Sequence, residues 1–321
     1  MFEKRGGRMN GENNAGGIDC RTDAACAPIK KEPKIISLLK GVGFFGGYFA
    51  IQFVVEFAAA VVVSTLYYMK TSDIDPTAAA EYITGVLNKN SMIIMIFADL
   101  LVIAAAALFI LLVKNSPGRE DNMMLFNKAP RVECLLALGI GFTANYALNI
   151  VFAYVTEMLP PKIFEDYAEA TTVYTAGGIV PYVIAGVILA PIVEELIFRG
   201  FMLTRFRRAM PDWLAIGLVG VIFGVIHGNI VQAVYASCLG FVLGAIFVKC
   251  NSLYASVLAH FGFNLASLPG FLTSIEGSKL AENTTFLLFN ALLSYASVFL
   301  FVSFLVILFL RPKEAKGNGD L

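Results

Sequence analysis

Long apolar stretches alternate with short polar ones along this chain. Eight apolar segments stand out, near residues 41–69, 91–113, 133–156, 178–198, 213–228, 230–248, 252–268 and 286–310. Most run to about 17–25 residues, enough for a helix rising about 1.5 Å per residue to cross about 30 Å of hydrocarbon. The pattern predicts an all-α, polytopic membrane protein of about eight transmembrane helices. The fifth and seventh segments are short and the join at 228–230 is tight. The fifth and sixth are therefore alternatively a re-entrant pair.

The flanks complete this layout. Residues 1–34 are polar, glycine-rich and basic, and are expected to be a disordered cytoplasmic tail, not a cleaved signal peptide. Residues 35–310 are expected to form the membrane domain, with its chemical core at 178–268, and residues 311–321 a second cytoplasmic tail. Composition agrees, with 58% hydrophobic and only 15% charged residues among 321. The formal net charge of zero gives no electrostatic footprint for nucleic acid. The five cysteines show no metal or disulfide spacing and read as free thiols. Of the 24 lysines and arginines, only Lys70, Lys89, Lys162 and Lys279 fall in segments on the far side from the N-terminus, and Arg199 falls within a span. The positive-inside rule then places both termini in the cytoplasm.

Charge inside the apolar stretches is the chemical signal. IVEELIFRG, residues 192–200, puts three charges directly behind a long apolar run, and a charge at mid-bilayer costs at least about 2.5–3.5 kcal/mol. On a helix Glu195 and Arg199 share a face and can pair. Glu194 points about 100° away from Glu195 and is free to face something else. Pro191, one turn earlier, removes a backbone bond to the carbonyl of Val187 and predicts a kink just before the carboxylates. The only two histidines, His227 and His260, lie in other apolar segments. FGVIHGN places His227 one turn after Phe223, and AHFGFN places Asn264 one turn after His260. At the helical rise, Glu194, His227, His260 and Asn264 lie about 16, 21, 12 and 18 Å deep, all near mid-membrane. Gly220, Gly224 and Gly228, and Gly240 and Gly244, form small-residue stripes that permit close helix packing in lipid. Glu56, four residues after Gln52, and Asp99 are expected to face the bundle interior or, for Asp99, a neighbouring helix, and Asn145 and Asn149 to bond between helices.

Glu194-Glu195-x-x-x-Arg199, Phe223-x-x-x-His227 and His260-x-x-x-Asn264, in this order on successive segments, resemble the CAAX-protease and bacteriocin-processing family (CPBP, or Abi). This family of intramembrane proteases includes the Ras-converting CAAX endopeptidase among its relatives. The resemblance covers about residues 178–268. It implies an endopeptidase in a cell membrane, expected to be prokaryotic, acting on a membrane-associated or lipidated peptide. The roles expected are Glu194 as base, His227 beside the attacking water, and His260 and Asn264 as donors to the oxyanion. Glu195 and Arg199 would hold their helix, with Phe223 in support.

Cofactor use stays open in the sequence. Glu194, His227 and His260 form a His₂Glu set of the kind that binds catalytic zinc, but the HExxH spacing of soluble zinc peptidases is absent. A metal-free glutamate mechanism is the favoured alternative. Two other classes also fit intramembrane charges: a non-catalytic adaptor or bacteriocin-immunity protein, and an ion-coupled transporter. The transporter expects matched inverted repeats, and the first four segments carry no repeat of EELIFRG.

Overall fold

A computed structural model describes residues 32–71, 75–113, 129–158, 160–275 and 278–312. Most of the two expected tails, and with them Cys20 and Cys26, lie outside these residues. Among the described residues every regular element is helical. The helices are α1 (Lys34–Lys70), α2 (Pro76–Val113), α3 (Arg131–Thr156) and α4 (Pro161–Ala176). A continuous rod, α5 (Ile179–Ala209), follows. Then come α6 (Asp212–Val225), α7 (Ile230–Cys250), α8 (Leu253–Leu265), the short α9 (Leu268–Ser274) and α10 (Thr284–Leu310). Seven of these, counting α8 and α9 as one, are long and apolar enough to cross a membrane. Broad apolar faces remain uncovered by protein, as at Phe53 and Phe57 on α1 and Leu292 and Phe299 on α10. The protein is an integral membrane protein.

Three elements differ from the sequence pattern, each for a local reason. Segment five is a 14-residue helix, α6, about 21 Å long and too short to cross alone. It ends in a turn where Gly228 has a φ of 73°, so this glycine serves the reversal and not the packing stripe. Asn229 caps α7, its side chain accepting from the backbone N–H of Val231 and Gln232. α2 begins at Pro76, well before residue 91, because Asp75 accepts the N–H of Thr77 and the following alanines favour helix. α4 is an additional helix with no buried residue, started by Pro161 at its first position.

The core lies where α3, α5, α6, α7 and α8 meet. Phe198, Phe223, Phe247, Ile140, Met202, Leu203 and Leu243 are fully buried there. Glycine sets two of the contacts. A Cβ on Gly141 of α3 would fall within the carbonyl of Ala259 on α8. On the α6–α7 hairpin a Cβ on Gly240 would come within 2.9 Å of the Gly220 Cα. Other polar residues behave differently from expectation. Glu56 is exposed on α1. Asn149 donates to Asn145 within α3 at 3.0 Å, while Tyr146 donates across to Asn290 of α10 at 3.3 Å.

Ionic contacts gather four helix ends at one end of the bundle. Glu32, just before α1, pairs with Lys40, with Arg205 at 3.0 Å and with Arg208 at 3.7 Å. Lys249 at the end of α7 donates to the carbonyls of Phe309 and Arg311 at the end of α10. Residues 32 and 311 therefore lie on the same side. At the other end Ser91 of α2 donates to the Val173 carbonyl of α4.

Candidate active site

The site is built around α5, whose middle departs from α-geometry on both sides of Pro191. Val183–Leu189 and Leu196–Leu203 are π-helical. Pro191 has no N–H to continue the ladder, and the first widened segment ends just before it. π-turns of this kind recur at functional sites. Across the second one Arg199 Nη1 still reaches Glu195 Oε1, at 2.6 Å. Both side chains are fully buried. Arg199 Nη2 donates to the Gly240 carbonyl of α7 at 3.1 Å, and its guanidinium carbon lies 4.6 Å from the centre of the Phe223 ring on α6. A single charged side chain thus joins α5, α6 and α7. The Arg199 carbonyl in turn accepts Thr204 Oγ1–H at 3.0 Å.

The second carboxylate faces the histidine of α8. His260 Nδ1–H donates to Glu195 Oε1 at 2.9 Å, which leaves Nε2 as the free ring nitrogen. Nε2 lies 3.8 Å from Glu194 Oε2. Glu194 retains 14% side-chain exposure against 0% for Glu195, so of the adjacent pair it is the one a small molecule can reach. Phe223 presents ring edges to both histidines, with centroids 5.1 Å from His227 and 5.7 Å from His260. His227 lies in the turn after α6, and its Nδ1–H donates to the Phe223 carbonyl at 2.7 Å.

Glu194, Glu195, Arg199, Phe223 and His260 are therefore brought together, with His227 joined to them through Phe223. Asn264 is tied elsewhere: its Nδ2 donates to the Gly186 carbonyl in the first π segment of α5 at 2.7 Å. The Gly240 carbonyl, the Asp99–Gln52 contact and Tyr48 join the surroundings without any signal in the three motifs. Tyr174 of α4 is half-buried, and this partial desolvation pushes its phenol above the ordinary range while a hydrogen bond with Gln232 opposes that shift.

Glu194, His227 and His260, the alternative zinc set, are not gathered into one cluster here. Among the described residues no group of three or more His, Cys, Asp and Glu side chains is disposed to hold a metal ion. His260 Nδ1 is engaged by Glu195 and His227 Nδ1 by a backbone carbonyl, which leaves Nε2 as the free nitrogen of each ring. Cys134, Cys238 and Cys250 are free thiols, as their spacing implied.

No curated protein and no solved structure matches the chain. A family comparison does match, over the part of the chain that carries this geometry. Residues 176–266, from the approach to α5 through the end of α8, match the type II CAAX prenyl endopeptidase Rce1-like family, so the segment that builds the site is similar to that family.

Proposed function

We propose that the chain is an intramembrane endopeptidase that hydrolyses a peptide bond in a membrane-associated or lipidated peptide. The observation that carries the reading is the approach of Glu194 Oε2 to His260 Nε2, with the far side of that ring anchored on a buried Glu195–Arg199 pair. A separation of 3.8 Å is wide for a direct hydrogen bond and suits a bridging water. In the proposed step the water oxygen forms a bond to the scissile carbonyl carbon. Glu194 takes the water's proton, and the carbonyl π pair moves onto oxygen. Collapse of this intermediate breaks the C–N bond, and the proton on Glu194 passes to the leaving nitrogen, so charge and atoms balance.

Each remaining residue has a part in this scheme. Glu195 fixes the His260 tautomer and ring orientation. Arg199 pairs with Glu195, and the same Glu195 oxygen accepts from His260. Asn264 has one amide N–H on Gly186 and a second available for the oxyanion, where His260 Nε2–H joins it when the ring is protonated. His227 keeps Nε2 free to hold the water. The lipidated substrate class is supported by the family match, and a cytoplasmic location for both termini by the excess of lysine and arginine at the end that residues 32 and 311 share.

The test uses protein reconstituted in liposomes and a farnesylated peptide ending in a CAAX sequence. Glu194→Gln keeps shape and hydrogen bonding but removes the base, whose contribution is about 10²–10⁴-fold. The variant is expected to be normally abundant and to lose at least about a hundredfold in kcat. Cleavage at the wild-type rate by this variant overturns the mechanism. Cleavage by the wild type is also expected to survive a strong chelator, whereas loss of activity restored by zinc would return the metal to the site.

A further inference from the structure

The polar contact between α1 and α2 is not used by the chemistry above. Asp99 of α2 is 1% exposed within the membrane domain. Its Oδ1 accepts Gln52 Nε2–H from α1 at 3.1 Å. Its Oδ2 is buried and, among the described residues, has no hydrogen-bond partner. Its neighbours are Gln52 of α1 and, on α5, the turn that carries Glu194. α2 packs directly against the first π segment and the Glu194 turn of α5.

These facts disfavour a charged Asp99. A carboxylate there would stand in a low-dielectric interior with one neutral donor, no paired cation and a second carboxylate nearby, all of which oppose the charge. As a carboxylic acid its two oxygens differ. Oδ1 is the carbonyl oxygen and accepts from Gln52, while Oδ2 carries the proton. That proton has no acceptor in the protein, which is costly unless the site supplies one.

We propose that Asp99 is a further positioning residue of this site: its neutral carboxyl group donates through one water to Glu194 from α2, while His260 approaches the same carboxylate from α8. Two polar arms then fix Glu194. The inference rests on the reading of Glu194 as the base. It adds to that reading a role for α1 and α2, which the family match leaves outside.

Two arms test it. The first needs no substrate. Infrared spectra of the reconstituted protein are expected to contain the carbonyl-stretch band of a buried, protonated carboxylic acid. The band is expected to vanish in Asp99→Asn, persist in Glu56→Gln and move in Glu194→Gln. Spectra of Asp99→Asn and wild type that coincide in this region overturn the proposal, and a band indifferent to Glu194→Gln overturns the link to the site. The second arm is kinetic, with the farnesylated CAAX peptide. Asp99→Leu removes the donor and is expected to lose at least about tenfold in kcat with KM within about twofold and unchanged melting. Asp99→Asn, which keeps a donor at the Oδ2 position and an acceptor for Gln52, is expected to recover most of that loss. Wild-type kcat in Asp99→Leu overturns the proposal. Should Glu194→Gln itself retain cleavage, the base assignment fails, and the infrared arm still decides the state of Asp99 and its link to Glu194.

Discussion

The residue that couples chemistry to architecture is Arg199. It is completely buried, pairs with Glu195, caps the Gly240 carbonyl and lies over the Phe223 ring. Removing it leaves a buried carboxylate without its cation, and breaking such a pair costs about 3–5 kcal/mol. Arg199→Ala is therefore expected to lower the melting temperature in detergent and membrane abundance as well as cleavage. Glu195→Gln combined with Arg199→Met removes both charges and is expected to recover much of the stability, but not the activity, because His260 then loses the carboxylate that orients it. An Arg199→Ala protein that melts like wild type would show that the pair is dispensable for stability. This pair was readable from spacing alone, since four residues make one helical turn, and it survived the π-turn that the sequence does not announce. Asn264 was less readable. Its spacing from His260 put the two on one face, but its partner is a carbonyl that the altered backbone of α5 presents, and no side-chain pattern encodes a carbonyl.

At the scale of elements, the hydrophobic segments located the membrane helices because burial in lipid and apolar length are the same signal. What they missed was polar or short. α4 has too little apolar surface to register, and the extension of α2 from residue 91 back to Pro76 depends on capping and alanine content. α6 appeared as a full segment because the turn residues 226–229 are themselves partly apolar. The small-residue stripe of α6 and α7 was legible, yet the tightest contact, Gly141 of α3 against Ala259 of α8, was not, since a single glycine has no period. Gly141→Ala would force α3 and α8 apart, and overpacking of this kind costs about 1–3 kcal/mol. It is expected to lower melting clearly, whereas Gly43→Ala on α1, where a Cβ meets nothing within 4 Å, is expected to leave melting unchanged. Equal melting of the two variants would contradict the α3–α8 crossing.

For the whole molecule, one acidic residue fastens the chain's entry into the bundle. Glu32 is held below the usual carboxylate range, first by its hydrogen bond from Lys40, against an opposing effect of burial, and further by the charges of Lys40, Arg205 and Arg208. Because its folded value is depressed, the stability it lends is fully present above the unfolded carboxylate range, about 4.3, and disappears as pH falls through the lower folded value. Glu32→Gln is expected to melt below wild type at neutral pH, with the gap closing on acidification below the ordinary carboxylate range. A gap that persists unchanged in acid would assign the effect to packing.

The shortness of α6 reaches beyond the protein into the lipid. Its 14 residues span about 21 Å, some 9 Å less than an average hydrocarbon layer, and its outer face is apolar at Leu214, Leu218, Val221 and Val225. Acyl chains beside it must shorten or splay to meet that face, and such hydrophobic mismatch is relieved by local thinning. The dimple forms over the turn that carries His227. Headgroups and solvent are drawn down toward His227, and bilayer thickness becomes a setting of the proposed site's surroundings.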